Sequence, residues 1–259
     1  MKRVVVFANN TVAVECLRIV CDDPESELVG LVLHPESRRR CGDELLAVAR
    51  LPEDRVLTAT QLRKDPDVHE RMRSWGADLG LSLFYGYILR AKTLDLFPDG
   101  CANLHPSYLP FNRGAYPNVW AIAEGTPAGA TLHMLDEGID TGDILAQLEV
   151  ETHPWDTGET LYRRLERASV DLFEAQWPEF VRGKLSRTPQ NPEAGNHHYI
   201  REVSGLDAID LDAPTTAREL LARLRARTFP PYESCFFIEG GRKIFVRVSL
   251  EEDLDYSDG

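Results

Sequence analysis

RVVVFANNTVAVECLRIV, residues 3–20, decides the fold class. Arg3 to Ala8 carries three valines and a phenylalanine with no alternating polar position, the pattern of a strand covered on both faces of a parallel sheet. Asn10-Thr11 stops that run and offers side-chain oxygens to the first turn of a helix whose apolar positions are Val12, Val14, Leu17 and Val20. A buried strand passing through a short polar turn into an amphipathic helix opens a β-α-β unit.

The alternation continues outward. Residues 27–33, ELVGLVL, predict a second strand, residues 43–50 and 64–75 predict helices, and residues 79–84 predict another buried strand ended by Gly86. The fold class is therefore α/β with an open, mostly parallel sheet. Residues 98–118, PDGCANLHPSYLPFNRGAYPN, hold four prolines and two glycines, which predicts a long loop around a short strand near Cys101 to Leu104. Residues 130–134 and 144–150 read as strands joined by the polar stretch LDEGIDTGD, and residues 160–180 as a long amphipathic helix. From Lys184 to Gly205 the pattern dissolves into an irregular linker or wrap. Residues 215–227 then predict a helix, and CFFIEGGRKIFVRVSL a hairpin turning at Gly240-Gly241, before an acidic, frayed tail after Glu251.

Composition narrows the function classes. The 259 residues carry 29 Lys and Arg against 42 Asp and Glu, a formal charge of −13, with 43% hydrophobic residues. That charge repels an extended phosphate backbone, so no nucleic-acid partner is expected. No apolar run approaches the roughly 20 residues of a membrane span, and the start lacks the ~7–15-residue apolar core of a secretory signal, so the expected place is the cytoplasm with no membrane partner. Five cysteines without a C-x-x-C pair argue against a disulfide framework or a zinc knuckle. His197-His198 is adjacent rather than at ligand spacing, so no metal is expected.

The chemistry concentrates in Asn103-Leu104-His105-Pro106-Ser107 and in Asp136 to Asp143. Asn103 and His105 are two apart, so an extended backbone puts both side chains on one face. An amide donor, a titratable imidazole and the carboxylate of Asp140 form a plausible acyl-transfer set, with no paired hydroxyl or thiol nucleophile. A hydrogen-bonded structural histidine and an ordinary Asp-Gly turn are the bland alternatives.

NLHPSYLPFNRGAYPNVWAI followed by GATLHMLDEGIDTGDILAQ resembles the signature of the 10-formyltetrahydrofolate-dependent formyltransferases. These include the methionyl-tRNA, glycinamide ribonucleotide and sugar-nucleotide N-formyltransferases. The close match covers roughly residues 79–150. The resemblance implies a Rossmann-like catalytic domain over residues 1–185, followed by a linker plus a small C-terminal helix and β-hairpin appendage over 186–259. It carries the family's catalytic Asn, His and Asp onto Asn103, His105 and Asp140. It implies a folate-side loop at Phe84, Tyr85, Gly86, Tyr87, Ile88 and Leu89, faced by a wall of Asp136, Glu137, Gly138 and Ile139.

Among the relatives, the purine-pathway enzyme has a glycine-rich loop after its first strand, where this chain reads Phe7-Ala8-Asn9-Asn10-Thr11. The tRNA enzyme has a basic C-terminal barrel, where an acidic chain with a helix and hairpin is found here. The expectation is therefore an N-formyltransferase that takes 10-formyltetrahydrofolate as co-substrate and a nucleotide-linked amino sugar, of the dTDP-amino-dideoxyhexose type, as acceptor. Asn10, Arg113 and Tyr116 are the candidate acceptor contacts, Arg113 for a diphosphate and Tyr116 for the sugar. A methionyl-tRNA formyltransferase-like enzyme, formylation of another small amine, and a silent folate- or nucleotide-binding module are the alternatives. The apolar hairpin face, Phe236, Ile238, Ile244, Phe245 and Val248, predicts a homodimer through the hairpin.

Overall fold

The computed structural model describes residues 1–253. Strand β1 (Lys2–Ala8) runs into helix α1 (Thr11–Asp22), whose first turn is capped by the Asn10 side chain accepting from the Ala13 amide at 3.1 Å. There follow β2 (Ser26–Leu33), α2 (Gly42–Ala49), β3 (Val56–Thr58), α3 (Ala59–Lys64), α4 (Val68–Ser74) and β4 (Leu79–Leu83). Next come α5 (Ala91–Leu94), β5 (Cys101–His105), the two-residue β6 (Arg113–Gly114) and α6 (Pro117–Glu124). The chain continues through β7 (Ala128–Met134), β8 (Ile144–Val150), α7 (Gly158–Val181), β9 (His197–His198) and α8 (Ala217–Ala226). It ends in the hairpin β10 (Phe236–Glu239) and β11 (Arg242–Phe245).

Seven strands form one sheet in the order β3-β2-β1-β4-β5-β7-β8. The first five are parallel, and β7 and β8 add antiparallel. This is the α/β architecture that the alternation predicts. Two apolar layers enclose the sheet because β1 sends Val4 and Val6 to one side and Val5 and Phe7 to the other. On the first side Leu17, Phe173 and Trp177 of α1 and α7 are fully buried; on the second, Trp75 and Tyr85 are. A third cluster joins Val119 and Trp120 of α6 to Leu161 and Leu165 of α7, Val203, and Ala226 of α8.

Several elements differ from the sequence expectation. The helix expected over 64–75 is two helices, since Pro66 has no amide and drives Asp65 to extended angles of φ −79°, ψ 118°. Strand β3 is only three residues long, below what periodicity can detect. The proline-rich stretch ends in a helix rather than a loop, because Pro117 occupies the first turn of α6, where no amide is needed. The irregular 184–205 segment crosses back over the domain: Thr188 pairs with Ile144, and β9 pairs in parallel with β6. The hairpin does turn at Gly240-Gly241, and its base is stitched to residues 207–209 through Phe236, while Ile238, Ile244 and Phe245 remain exposed. The tail expected to fray after Glu251 lies outside the described residues from 254 onward.

Among the described residues no helix is long and apolar enough to cross a membrane. The helical layer that closes the first side rests on Phe173, which is stacked on Trp177 at 5.3 Å. Replacing Phe173→Ala is expected to lower unfolding free energy by ~3–5 kcal/mol, read from urea denaturation.

Candidate active site

Strand β5 carries Asn103 and His105 on one face, and its antiparallel partner β7 places His133 directly opposite Asn103. Asn103 Nδ2 donates to His133 Nε2 at 3.1 Å, while His133 Nδ1 donates to the Met134 carbonyl at 2.9 Å. That second bond fixes the His133 tautomer with Nε2 as acceptor. His133 is fully buried. The sequence reading missed it, although the alternation along β7 puts it on the same face as Thr131.

The turn between β7 and β8 brings Asp140 against this face. Asp136 Oδ1 accepts from the Gly138 amide at 2.9 Å and from the Thr141 hydroxyl at 2.6 Å, which coils the turn tightly. A Cβ at Gly142 would lie 2.0 Å from the Met134 carbonyl oxygen, so the turn closes onto β7 only with glycine there. Asp140 takes the left-handed region at φ 52°. Its Oδ2 accepts from the Gly114 amide at 2.9 Å and lies 3.6 Å from His105 Nε2; its Oδ1 lies 3.6 Å from His133 Nε2. Gly114 is itself constrained, with φ 91° and only 2.4 Å between an added Cβ and the His198 carbonyl oxygen.

His105 is buried and makes a backbone hydrogen bond with Asn112, while its Nε2 is buried without any partner. Nδ1 therefore carries the proton to the Asn112 carbonyl, and the lone pair of Nε2 points into the site. Burial pushes the His105 pKa below its ordinary value against the upward pull of Asp140. Burial acts upward on Asp140, but His105, His133 and the Gly114 amide outweigh it and hold the carboxyl well below the usual range. The result is a neutral base, a fixed carboxylate beside it and an amide donor two residues along the same strand.

The loop after His105 is anchored by buried Thr131. Its hydroxyl donates to the Ser107 carbonyl at 2.7 Å and accepts from the Leu109 amide at 3.2 Å and from Gln147 Nε2 at 3.0 Å. Two further residues invisible to sequence patterning come from the crossing segment. Gln190 Nε2 donates to the carbonyls of Asp140 at 2.9 Å and Gly142 at 2.7 Å. Asn196 Oδ1 accepts from the Asn112 amide at 2.6 Å.

The remaining candidates fall around this centre. The β4–β5 register pairs Leu83 with Leu104, so Phe84, in the left-handed region at φ 52°, starts its loop beside His105. Within that loop Tyr85 and Leu89 turn into the core, and the Tyr85 carbonyl accepts from His34 Nε2. Tyr87 is half-buried against His34, whereas Gly86 and Ile88 face solvent. Glu137 and Gly138 are exposed and Ile139 half-buried. Asn10 is half-buried and its Oδ1 caps α1 by accepting from the Ala13 amide. Arg113 is buried, with Nε donating to the Asn196 carbonyl at 3.4 Å, and half-exposed Tyr116 heads α6. Among the described residues no cluster of three or more His, Cys, Asp or Glu has metal-binding geometry.

The depressed pKa values have a definite sign in stability. His105 contributes stability that is complete above 6.5 and lost as pH falls through its folded value; Asp140 does the same below 3.8. Histidine NMR is expected to place the His105 midpoint below 6.5. Asp140→Asn, which removes the upward pull, is expected to move it lower still.

Comparison with known proteins agrees with the motif resemblance. Residues 2–175 match the formyl transferase family, and residues 202–252 match the N-formyltransferase dimerization C-terminal domain. A methionyl-tRNA formyltransferase of a Synechococcus strain is 32% identical over 97% of this chain and 78% of its own length. A dTDP-4-amino-4,6-dideoxyglucose formyltransferase of Mycobacterium bovis is 35% identical over 65% of this chain and 75% of its own. The crystal structure of a 4-N formyltransferase from Francisella tularensis superposes with a TM-score of 0.84 at 29% identity, covering 97% of this chain and 99% of that one. With its parallel sheet, its Asn103–His105 strand and its DEGIDTGD turn accounted for, the chain belongs to the formyltransferase family of enzymes.

Proposed function

We propose that this enzyme transfers a formyl group from 10-formyltetrahydrofolate to the amine of a nucleotide-linked amino sugar of the dTDP-amino-dideoxyhexose type. The observation that carries the reading is the buried, partnerless Nε2 of His105, 3.6 Å from the Asp140 carboxylate. A buried base left unpaired is costly unless something with a proton to lose meets it in turn. The acceptor class is supported by the match of residues 202–252 and by likeness to a 4-N formyltransferase across nearly the whole of both chains. Residues 1–185 then serve as the catalytic unit and 186–259 as its C-terminal attachment.

The attacking amine is neutral. His105 Nε2 takes its proton as the new bond to the formyl carbon forms and returns it to the departing folate nitrogen as the old carbon–nitrogen bond breaks, and Asp140 stabilises the imidazolium in between. Asn103 has one N–H engaged by His133 and a second available for the formyl oxygen as negative charge collects there. When bound, 10-formyltetrahydrofolate supplies the electrophilic carbon. The residues fit it: the loop over Phe84 to Leu89 starts beside His105 with Gly86 and Ile88 exposed to solvent, and the turn of exposed Asp136 to Gly138 and half-buried Ile139 leads into Asp140. Asn10, Arg113 and Tyr116 are the proposed acceptor contacts.

A second reading, formylation of methionyl-tRNA, is favoured by the identity to the enzymes of that name. The charge of −13 supports the small acceptor instead. Assay against a panel of nucleotide-linked amino sugars and against methionyl-tRNA, with mass spectrometry for the formyl adduct, separates the two. Amino-sugar turnover is expected to dominate, and comparable tRNA formylation reverses the assignment. His105→Asn is expected to lower turnover by at least ~10²-fold with folate binding retained; near-normal turnover removes His105 from the mechanism.

The same reading includes a homodimer through the hairpin. Its support is the described dimerization function of the matching region and the exposed Ile238, Ile244 and Phe245 on an isolated two-stranded sheet. Phe245→Asp is expected to convert a dimer to monomer in light scattering while the main transition in thermal unfolding persists. A native protein that stays monomeric across micromolar concentrations excludes the dimer.

A further inference from the structure

The segment that follows α7 makes few regular bonds of its own, yet it touches the active centre at two separate points. It is first pinned to the edge of the sheet, where Thr188 and Ile144 exchange two backbone hydrogen bonds of 2.8 Å. Two residues later Gln190 donates both of its recorded bonds, at 2.9 and 2.7 Å, to the carbonyls of Asp140 and Gly142. Its own Oε1 is buried with no partner. A buried amide oxygen without a donor is a cost to the fold, so this side chain is retained for its N–H groups. The carbonyls it holds belong to a turn in which Asp140 sits at φ 52°, a conformation that a residue with a Cβ keeps only when its surroundings hold it there.

Farther along, Asn196 meets the other half of the catalytic pair. Its Oδ1 accepts from the Asn112 amide at 2.6 Å, and its backbone carbonyl accepts from the Arg113 amide at 3.2 Å. Asn112 is buried in the left-handed region at φ 55°, and its own side chain is tied to Thr126 at 2.8 Å. It is the carbonyl of this residue that receives the His105 Nδ1 proton. Asn196 is oriented in turn by Glu124, which accepts from its Nδ2 at 2.6 Å. One stretch of chain thus grips the backbone that carries Asp140 and the backbone that orients His105, through two side-chain amides that touch neither reacting group.

We propose that Gln190 and Asn196 are positioning residues, and that the 188–198 strap sets the spacing of the His105–Asp140 pair. The proposal rests on the catalytic reading of that pair. In this arrangement the approach of Asp140 Oδ2 to His105 Nε2 is not decided by β5 and β7 alone. Loosening Gln190 lets the turn relax away from His105, and loosening Asn196 frees the acceptor that keeps the imidazole in its tautomer. A misplacement of about an ångström at such a pair costs on the order of 10²-fold in rate.

The test uses the full chain with 10-formyltetrahydrofolate and dTDP-4-amino-4,6-dideoxyglucose, and follows the His105 ring by NMR in the free enzyme. Gln190→Met keeps the length and removes both donors. It is expected to lower kcat by roughly 10–100-fold with KM for the folate changed by less than about threefold. The His105 midpoint is expected to fall, because the nearby Asp140 charge raises it and His133 opposes that effect. Gln190→Lys, whose ammonium can donate to both carbonyls, is expected to recover most of the lost kcat. Asn196→Leu is expected to reproduce the kcat loss through Asn112. If Gln190→Met does not fold, Gln190→Leu, which also lacks N–H donors and adds no charge, carries the same measurements. An unchanged His105 midpoint, or a kcat loss not recovered by Gln190→Lys, overturns the strap. A lowered midpoint with native turnover leaves the strap standing and removes His105 as the base.

Discussion

Everything at the active centre depends on where one carboxylate is held. Asp140 reaches its place on the face of β5 because three elements hold it from different directions. The Gly114 amide binds Oδ2, two imidazoles lie 3.6 Å from its oxygens, and the turn behind it is closed against Met134. A buried carboxylate survives as an anion only where donors and positive charge offset its lost hydration. Here the donor is the Gly114 amide, and positive charge arrives when one of the two histidines beside the carboxylate takes up a proton. One of these, His133, already has both ring nitrogens committed. The other, His105, keeps a nitrogen open, and the asymmetry between two otherwise similar rings is what makes one structural and the other available for proton transfer.

The sheet explains why these groups can be brought so close. Five parallel strands form a rigid, doubly covered platform, and β5 is the last of them. Beyond it the direction reverses. An antiparallel neighbour sets residues of β5 and β7 face to face, so Asn103 meets His133 directly. Two more parallel strands would have required crossover helices at this edge. The reversal instead permits a short turn, and that turn carries Asp140. The buried hydroxyl of Thr131 then ties the exit from β5 to the same antiparallel pair, so the backbone after His105 is fixed by the strands that position its partners.

Much of this was open to reading in the amino-acid order. Arg3 to Ala8 and the helix after it announced the α/β class, since a run of β-branched residues without alternation has few other uses. Asn103 and His105 were legible as a same-face pair because the strand period is two. The glycines and aspartates of DEGIDTGD announced a tight turn, and the long motif identified its chemistry by resemblance. Pro66 lies inside the stretch 64–75 that reads as one helix. The steric rule for the residue before proline prevails in the structure.

What the order of residues determined by itself is local: which segments extend, which coil, where a turn must be tight, and which side chains share a face. Those properties follow from backbone sterics and hydrophobic period, which act over a few residues. The tertiary structure alone decided the partners. His133 became an active-centre residue only through the β5–β7 register, Gly114 only by presenting its amide to a turn 26 residues away, and Gln190 and Asn196 only because their segment crosses back over the sheet. Hydrogen bonds between segments so far apart leave no period in the sequence. Their donors are single amides in an irregular stretch, and nothing short of the folded chain says which carbonyl each will meet.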